Sequence, residues 1–486
     1  MAVTFPAGTH PLENELNKRV LSIAAEHEYR LYIVGGFIRD ALLNKRQNGK
    51  AKDVDYAVDS RKALDGSAMK LGAILAQRLD AHLVPLDETN DTVRVVLPSG
   101  EIIDCAGCVG GTIEADVQRR DFTINALVWS DDRPDEIVDL VGGMADIPSR
   151  TIRLVAEKSI TDDPLRMLRA FRFSATLDGP IDDGTIALIK KHASLLANVA
   201  VERINYELFL TTAVLRCAPV IEQMAATGLL EVIFGELIEC RKVTANAFHH
   251  LGLFEHSVET IPQLEAKLDQ VPDWVMTSAA QELSAGVTRL AATKVACLLH
   301  DIGKPQTWAI TEEGRHTFYG HDKLGADMCV GIGERMKWSR PVDKLIVNLV
   351  RWHLRPGQLY HQGPPTDKAI RRFYRSVRDD LPELMLLAFA DFGATRGPGL
   401  MGENRIVLEN SMFELLAGYL PYKEETANRP KLLNGTQIME LLSLKAGPAV
   451  GELLAALDEA QEFKEVSNRA EAECFVKDLY QQKYSK

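Results

Sequence analysis

Strand-like patterning in this chain stops near Asp146, and from there on the sequence reads as helix. This asymmetry sets the fold class as α+β, with one mixed α/β head followed by helical segments. Within the head, Leu12 to Ala25 has helical spacing and leads into the apolar run Leu31–Val34, a strand. Two glycines follow, and then Phe37 to Leu43 returns to helical spacing. Asp53 to Val58 alternates as a strand does, and Val93–Leu97 with Ile102–Ile103 predicts a hairpin around Pro98-Ser99-Gly100. From Ser149 to about Glu239 the pattern is helical, with stops at Gly179-Pro180 and Gly228. Helices continue to Gly397 with frequent histidines, and the remainder is helical and acidic.

A length of 486 residues exceeds what one core serves and points to roughly three domains. The net charge of −12 excludes nucleic-acid binding by bulk charge, so such binding needs a local basic patch. Residues 335–375 offer one, with ten Lys/Arg against two Asp/Glu and Trp338, Trp352, Tyr360, Phe373 and Tyr374 interleaved. They read either as an RNA contact or as a solvated helix face packed by its aromatics. Seven scattered cysteines suit a reducing cytoplasm rather than a disulfide framework. No apolar run reaches the ~18–20 residues of a membrane span, so no membrane partner is expected.

Three strings in the head carry chemistry. Gly35-Gly36 between strand and helix is either a plain tight turn or a loop whose N–H groups approach an anion, with Arg39 a forked cation one turn on. Asp53 and Asp55 are two apart on a strand and so share a face; they form a solvated acidic edge or a pair held by Mg²⁺. Asp104 offers a third carboxylate from a neighbouring strand, flanked by Cys105 and Cys108 as small, partly buried residues. Arg119-Arg120-Asp121-Phe122-Thr123-Ile124-Asn125-Ala126 supplies the guanidinium, carboxylate and amide groups that hold a triphosphate and a ribose hydroxyl.

In this order, the strings Gly-Gly-Phe-Ile-Arg-Asp, Asp-Val-Asp and Arg-Arg-Asp-Phe-Thr-Ile-Asn-Ala resemble the class II tRNA nucleotidyltransferases, which include CCA-adding enzymes and bacterial poly(A) polymerases. The later string Asp162-Asp163-Pro164-Leu165-Arg166-Met167-Leu168-Arg169-Ala170-Phe171-Arg172-Phe173 resembles that family's nucleotide-choosing motif, with Asp162 in place of the usual Glu. At about 100° per residue, Asp163, Arg166 and Arg169 share one arc of a helix. Leu165, Leu168 and Phe171 form the buried stripe. Arg172 falls on the apolar side, in contact with a nucleotide or in a pairing between helices. The resemblance implies that Asp53, Asp55 and Asp104 are catalytic. It implies that Gly35, Gly36, Arg39, Arg120, Asp121, Asn125, Asp163, Arg166, Arg169 and Arg172 bind nucleotide. Two departures matter: residues 57–81 lack the basic-aromatic signature of poly(A) polymerases, and Arg119 follows Asp104 by only fifteen positions. The second resembles members that add only CC.

The order His256, His300-Asp301, His321, His353, Asp391 resembles the HD phosphohydrolase superfamily. Imidazole with carboxylate suits Mn²⁺, Ni²⁺, Fe²⁺ or Zn²⁺. His256, His300, Asp301 and Asp391 match the core ligands, and His321 and His353 those of two-metal members.

The expected architecture is a nucleotidyltransferase head (1–146), a helical neck selecting nucleotide and binding RNA (147–240), an HD domain (241–400) and a helical tail (401–486). The expected activity is template-independent addition of CMP and AMP from CTP and ATP to the tRNA 3′ end, in the cytoplasm, with phosphohydrolase activity in the HD domain. The alternatives are addition of CC alone, or an HD hydrolase of a nucleotide whose head is a binding module. Oligomeric state is left open.

Overall fold

The alternating segments of the head close into one six-stranded sheet in the structure, a computed structural model that describes residues 5–44, 54–59, 67–245, 250–313, 315–361, 363–396 and 403–484. Helix α1 (Glu15–Glu26), capped by the Asn14 side chain on the Asn17 N–H, leads into β1 (Arg30–Val34). Then come α2 (Gly36–Leu42), β2 (Val54–Asp59), α3 (Ala68–Leu79), β3 (His82–Asp87), β4 (Thr92–Val96), β5 (Ile102–Gly107), α4 (Ile113–Gln118) and β6 (Val128–Trp129). The strand order is β3-β4-β5-β2-β1-β6, with β2 and β5 the one parallel pair. The expected hairpin is present, with Gly100 at φ 87° closing β4 onto β5.

Two neighbouring rungs of this sheet do different work. Ile33, Tyr56, Cys105 and Val93 lie side by side and are buried against one face, where Leu71 and Leu75 of α3 also bury. One residue on, Val34, Asp55, Asp104 and Arg94 form the next rung, on the opposite face. Asp53 lies outside the described residues.

Beyond the sheet, α5 (Gly143–Asp146), α6 (Lys158–Asp162), α7 (Arg166–Leu177), α8 (Asp183–His192), α9 (Val201–Thr212), α10 (Ala218–Ala226), α11 (Leu229–Ile233) and α12 (Leu237–Cys240) follow. Leu165, Leu168 and Phe171 are buried as the apolar stripe requires. The shared arc of Asp163, Arg166 and Arg169 needs correction. Asp163 is extended, at φ −145° and ψ 97°, between α6 and α7. The ring of Pro164 disfavours the helical region at the residue before it, so Asp163 cannot join the helix.

The chain divides into two units, Met1–Leu237 with Arg335–Lys337, and Ile238–Glu334 with Trp338–Lys486. In the second, α13 (Leu253–Lys267), α14 (Asp273–Ala279), α15 (Arg289–Leu299), α16 (Lys304–Thr307), α17 (His321–Met336), α18 (Arg340–Trp352), α19 (Arg355–Gln358), α20 (Asp367–Val377) and α21 (Leu381–Ala394) surround an apolar centre. Two short ribbons interrupt them, pairing Glu282–Ser284 with Val287–Thr288 and Ala309–Ile310 with His316–Thr317. Helix α21 is apolar apart from Glu383 and Asp391, and Leu384 to Ala390 are all buried, as a central helix demands. The C-terminal helices α22 (Glu403–Ala417), α23 (Tyr419–Asn428), α24 (Gly435–Leu442), α25 (Pro448–Glu462) and α26 (Arg469–Tyr484) follow, with Ile438, Leu453 and Leu457 in a core of their own. Among the described residues no helix is long and apolar enough to cross a membrane.

The basic stretch splits in two. On α20, Phe373 and Tyr374 are buried, and the Tyr374 hydroxyl donates to the Leu415 carbonyl. Arg371 is tied to Asp367 and Glu425, and Arg375 to Glu462. Arg371, Tyr374 and Arg375 are thus spent on holding the fold.

Fully buried Lys294 on α15 donates to Glu265 on α13 at 2.8 Å. Lys294→Met leaves that carboxylate buried without its cation, a loss of about 3–5 kcal/mol. Urea unfolding followed through the second unit should show it, and Lys294→Met/Glu265→Leu should recover most of the stability.

Candidate active site and metal centre

Gly35 precedes α2 at φ 73° and ψ −144°, a conformation that side chains rarely adopt. A Cβ there would lie 2.8 Å from Asp55 Oδ2 and 3.9 Å from Arg120 Nη1. The turn is therefore bare because the Asp55 carboxylate crowds it, with Arg120 at ordinary contact distance. Asp55 itself is exposed at the start of a strand whose other residues are buried. Asp104, beside it on the same rung, gives both oxygens to Arg94, at 2.8 and 2.9 Å. Arg120 is anchored through Nε and Nη2 on Asp116 Oδ2, which leaves Nη1 toward Gly35.

A polar chain runs beneath this turn. Arg39 is buried and donates to Asp40 and to Asn125 Oδ1, the latter at 2.6 Å. Asn125 donates to Asp121 Oδ1, and Arg169 donates twice to Asp121 Oδ2, at 3.0 and 2.7 Å. Burial alone raises the Asp121 pKa, but Arg169, Asn125 and the Phe122 N–H outweigh it and hold the carboxyl below the usual range. Arg172 donates to Glu207 on α9, the inter-helix pairing left open by its position on the helix wheel. The guanidinium groups of Arg39, Arg169 and Arg172 all stand over the Phe173 ring, within 5.4 Å of its centre. Arg166 differs. Among the described residues the one hydrogen-bond partner of its guanidinium is the Ser159 carbonyl, so most of that group's donors are unspent. Asp163, just before it, accepts from the Leu165 N–H and from Arg203.

The second unit gathers all six HD-type residues. His300 and His353 cap the ends of α15 and α18, His321 opens α17, His256 is on α13 and Asp391 on α21. Helix ends leave carbonyls without intrahelical partners. The Nδ1–H of His300 donates to the Cys297 carbonyl at 2.8 Å, and that of His353 to Val350 at 2.7 Å. His321 does the same to Phe318 at 2.7 Å. A carbonyl only accepts, so each ring carries its proton on Nδ1 and turns a lone pair inward on Nε2.

The lone pairs converge. His321 Nε2 and His353 Nε2 are 3.3 Å apart, and Asp301 Oδ1 lies 3.2 and 3.6 Å from them, buried and without a hydrogen-bond donor. Three acceptors facing one another are unfavourable unless a cation or proton joins them. On the other side, Asp301 Oδ2 faces His300 at 3.2 Å and His256 at 3.6 Å, while Asp391 Oδ1 is 3.2 Å from His256. Asp301 thus bridges two clusters, each able to converge on one ion. Burial favours a neutral His300, but Asp301 and Asp391 outweigh it and draw its pKa up to about 10, so without a metal cation Nε2 takes a proton in its place. The carboxylates themselves sit well below their usual range despite burial. The donors fit a divalent transition cation in type, number and orientation.

Residues 31–153 match the Poly A polymerase head domain, 253–392 the HD domain, and 180–240 the family described as "Probable RNA and SrmB- binding site of polymerase A". The A-adding tRNA nucleotidyltransferase of Deinococcus radiodurans is 34% identical, over 91% of this chain and 94% of its own. The chain belongs to the tRNA nucleotidyltransferase family. The CC-adding tRNA nucleotidyltransferase of Thermus thermophilus is 32% identical over 91% of this chain and 92% of its own. A Thermotoga maritima CCA-adding enzyme complexed with tRNA shares the fold of this nucleotidyltransferase, with a TM-score of 0.66 over 99% of both chains at 20% identity.

Sequence reasoning about this nucleotidyltransferase missed several partners. Arg94, Asp116 and Glu207 hold Asp104, Arg120 and Arg172, and no motif marks them. Lys304, an ion-pair partner of Asp301, had a signal in its i+3 spacing.

Proposed function

We propose that this enzyme transfers nucleotides from CTP and ATP to the 3′ end of tRNA without a template. The approach of Asp55 to the bare Gly35-Gly36 turn, with Arg120 Nη1 beside it, carries the reading. It sets an acceptor for cations against an opening suited to phosphates. Asp53 and Asp55 would hold Mg²⁺, which when bound favours loss of the attacking hydroxyl's proton and screens the leaving pyrophosphate. The tRNA 3′-oxygen joins the α-phosphorus, the bond to the bridging oxygen breaks, and pyrophosphate departs. Asp104 is the further carboxylate of that centre, with its charge balanced by Arg94. Gly35, Gly36 and Arg120 face the triphosphate. Arg39, Asp121, Asn125, Arg169 and Arg172 brace the site from below, and Asp121 and Asn125 offer polar groups to the ribose. Arg166, with its unspent donors, reads the base edge together with Asp163.

The proposed functional parts are the head (1–146), the neck (147–240), the HD domain (241–400) and the tail (401–486). In the third, His256, His300, Asp301 and Asp391 with His321 and His353 would hold Mn²⁺, Ni²⁺, Fe²⁺ or Zn²⁺ for hydrolysis of a phosphoester. All seven cysteines are free and six are buried, which supports a cytoplasmic location.

A restricted reading, addition of CC alone, is favoured by two observations. Relatives matched nearly end to end include three CC-adding enzymes beside one A-adding enzyme. Residues 107–119 also form a tight turn and the short α4 in place of a long loop. Transcripts ending before C74, C75 and A76, each offered single nucleoside triphosphates, decide between them. Extension of all three ends is the expected outcome for full addition. Extension that stops at C75 establishes the restricted reading, and extension of the end lacking A76 alone, or of no end, overturns both.

A further inference from the structure

In the second unit, α17, α18, α19 and α20 enclose a cavity of about 340 Å³ that the reading above does not use. Its walls include Lys323, Arg351, Trp352, Arg355 and Arg372, with Asp322 the one carboxylate among them. Arg351 is paired with Asp327 at 2.8 Å. Among the described residues, Lys323, Arg355 and Arg372 have no carboxylate partner. The contrast along α20 is informative. Arg371 and Arg375 are neutralised by acids, whereas Arg372, on the cavity side, stays uncompensated in a chain of net charge −12. The half-buried Trp352 ring adds the surface on which an unstacked base can lie.

The walls are also chain neighbours of the metal centre. Asp322 and Lys323 follow His321, while Trp352 and Leu354 flank His353. The cavity and the metal centre therefore share helices α17 and α18.

We propose that this cavity binds the phosphate-bearing 3′ end of a single-stranded RNA, with a base on Trp352 and phosphates on Lys323, Arg355 and Arg372. It deepens the phosphohydrolase reading and rests on it for the fate of the bound end. Uncompensated cations grouped around an indole fit alternating phosphates and bases better than they fit an acidic peptide, which lacks the flat rings.

The probe is a tetranucleotide RNA carrying a 3′-terminal 2′,3′-cyclic phosphate and a 4-thiouridine, which offers the head no 3′-hydroxyl. Photocrosslinking to the full chain should map to α18–α20. Anisotropy titrations should show binding weakened roughly 10-fold by Arg355→Gln/Arg372→Gln, with a log–log salt slope shallower by about 1.4. Trp352→Leu should weaken binding roughly 10-fold with the slope unchanged. Circular dichroism and Mn²⁺ content check that both variants are folded. Crosslinks confined to the first unit, or wild-type affinity in both variants, would overturn the proposal. So would inorganic phosphate or a mononucleotide binding as tightly as the RNA, which would make the cavity a site for free phosphate. A chain that takes up no metal but still binds the probe here sinks the phosphohydrolase reading alone and leaves the cavity's ligand supported.

Discussion

Asp55→Asn should lower the rate of nucleotide addition by about 1,000-fold while leaving the fold intact. The substitution keeps the shape of the side chain and removes its charge, so the packing of β2 is unaltered. What it removes is the anionic oxygen that faces the Gly35-Gly36 turn. Stabilising charge at a transferring phosphoryl group is worth several kcal/mol, and about 4 kcal/mol corresponds to that factor. Asp104 cannot replace it, because Arg94 binds both its oxygens. A companion variant tests the geometry from the other side. Gly35→Ala puts a Cβ 2.8 Å from Asp55 Oδ2 at a backbone of positive φ, so it should also lose activity, through displacement of Asp55. Single-turnover extension of a transcript lacking its last nucleotides measures both. If Asp55→Asn extended tRNA at nearly the wild-type rate, the carboxylate would have no part in the chemistry.

How much of this was legible in the sequence depends on whether the deciding contact is local. The hairpin at Pro98-Ser99-Gly100 and the strand–glycine–helix turn are local, and their residues announce them. Strand β3 is not legible: all six of its residues are exposed and Pro85 sits within it, so it has no buried face to alternate with. The position of Asp163 had a readable signal in Pro164, but a helix wheel ignores it. Arg172 shows the opposite limit. Its apolar-side placement hinted at a partner, but Glu207 lies on another helix and could not be named from spacing. For the metal centre, residue types and order located all six side chains. The orientation of the rings came only with the structure, because it depends on the carbonyls that the helix ends leave free.

The second large effect belongs to that centre. Asp301→Asn should strip metal from both clusters, because Oδ2 faces His256 and His300 while Oδ1 faces His321 and His353. Replacing the shared oxygen pair by an amide leaves the His321–His353 cluster with imidazoles alone and the His256–His300 cluster with Asp391 as its one carboxylate, too little negative charge to hold two dications. His321→Ala should be milder in metal content, since it damages only one cluster, so retained metal falls from about two per chain toward one. Mutations of groups that merely orient ligands already cost 10–100-fold, so loss of a ligand should lower phosphoester hydrolysis by at least about 100-fold in both variants. Nucleotide addition should persist, because every ligand lies between His256 and Asp391, outside the head. Asp301 also pairs with buried Lys304, so its variant can lose stability for a reason unrelated to metal. His321→Ala, which leaves that pair intact, separates the two causes. Metal analysis after Mn²⁺ loading, with p-nitrophenyl phosphate hydrolysis and tRNA extension on the same preparations, gives the answer. Full metal content in Asp301→Asn would mean that the bridge between the clusters is an accident of packing.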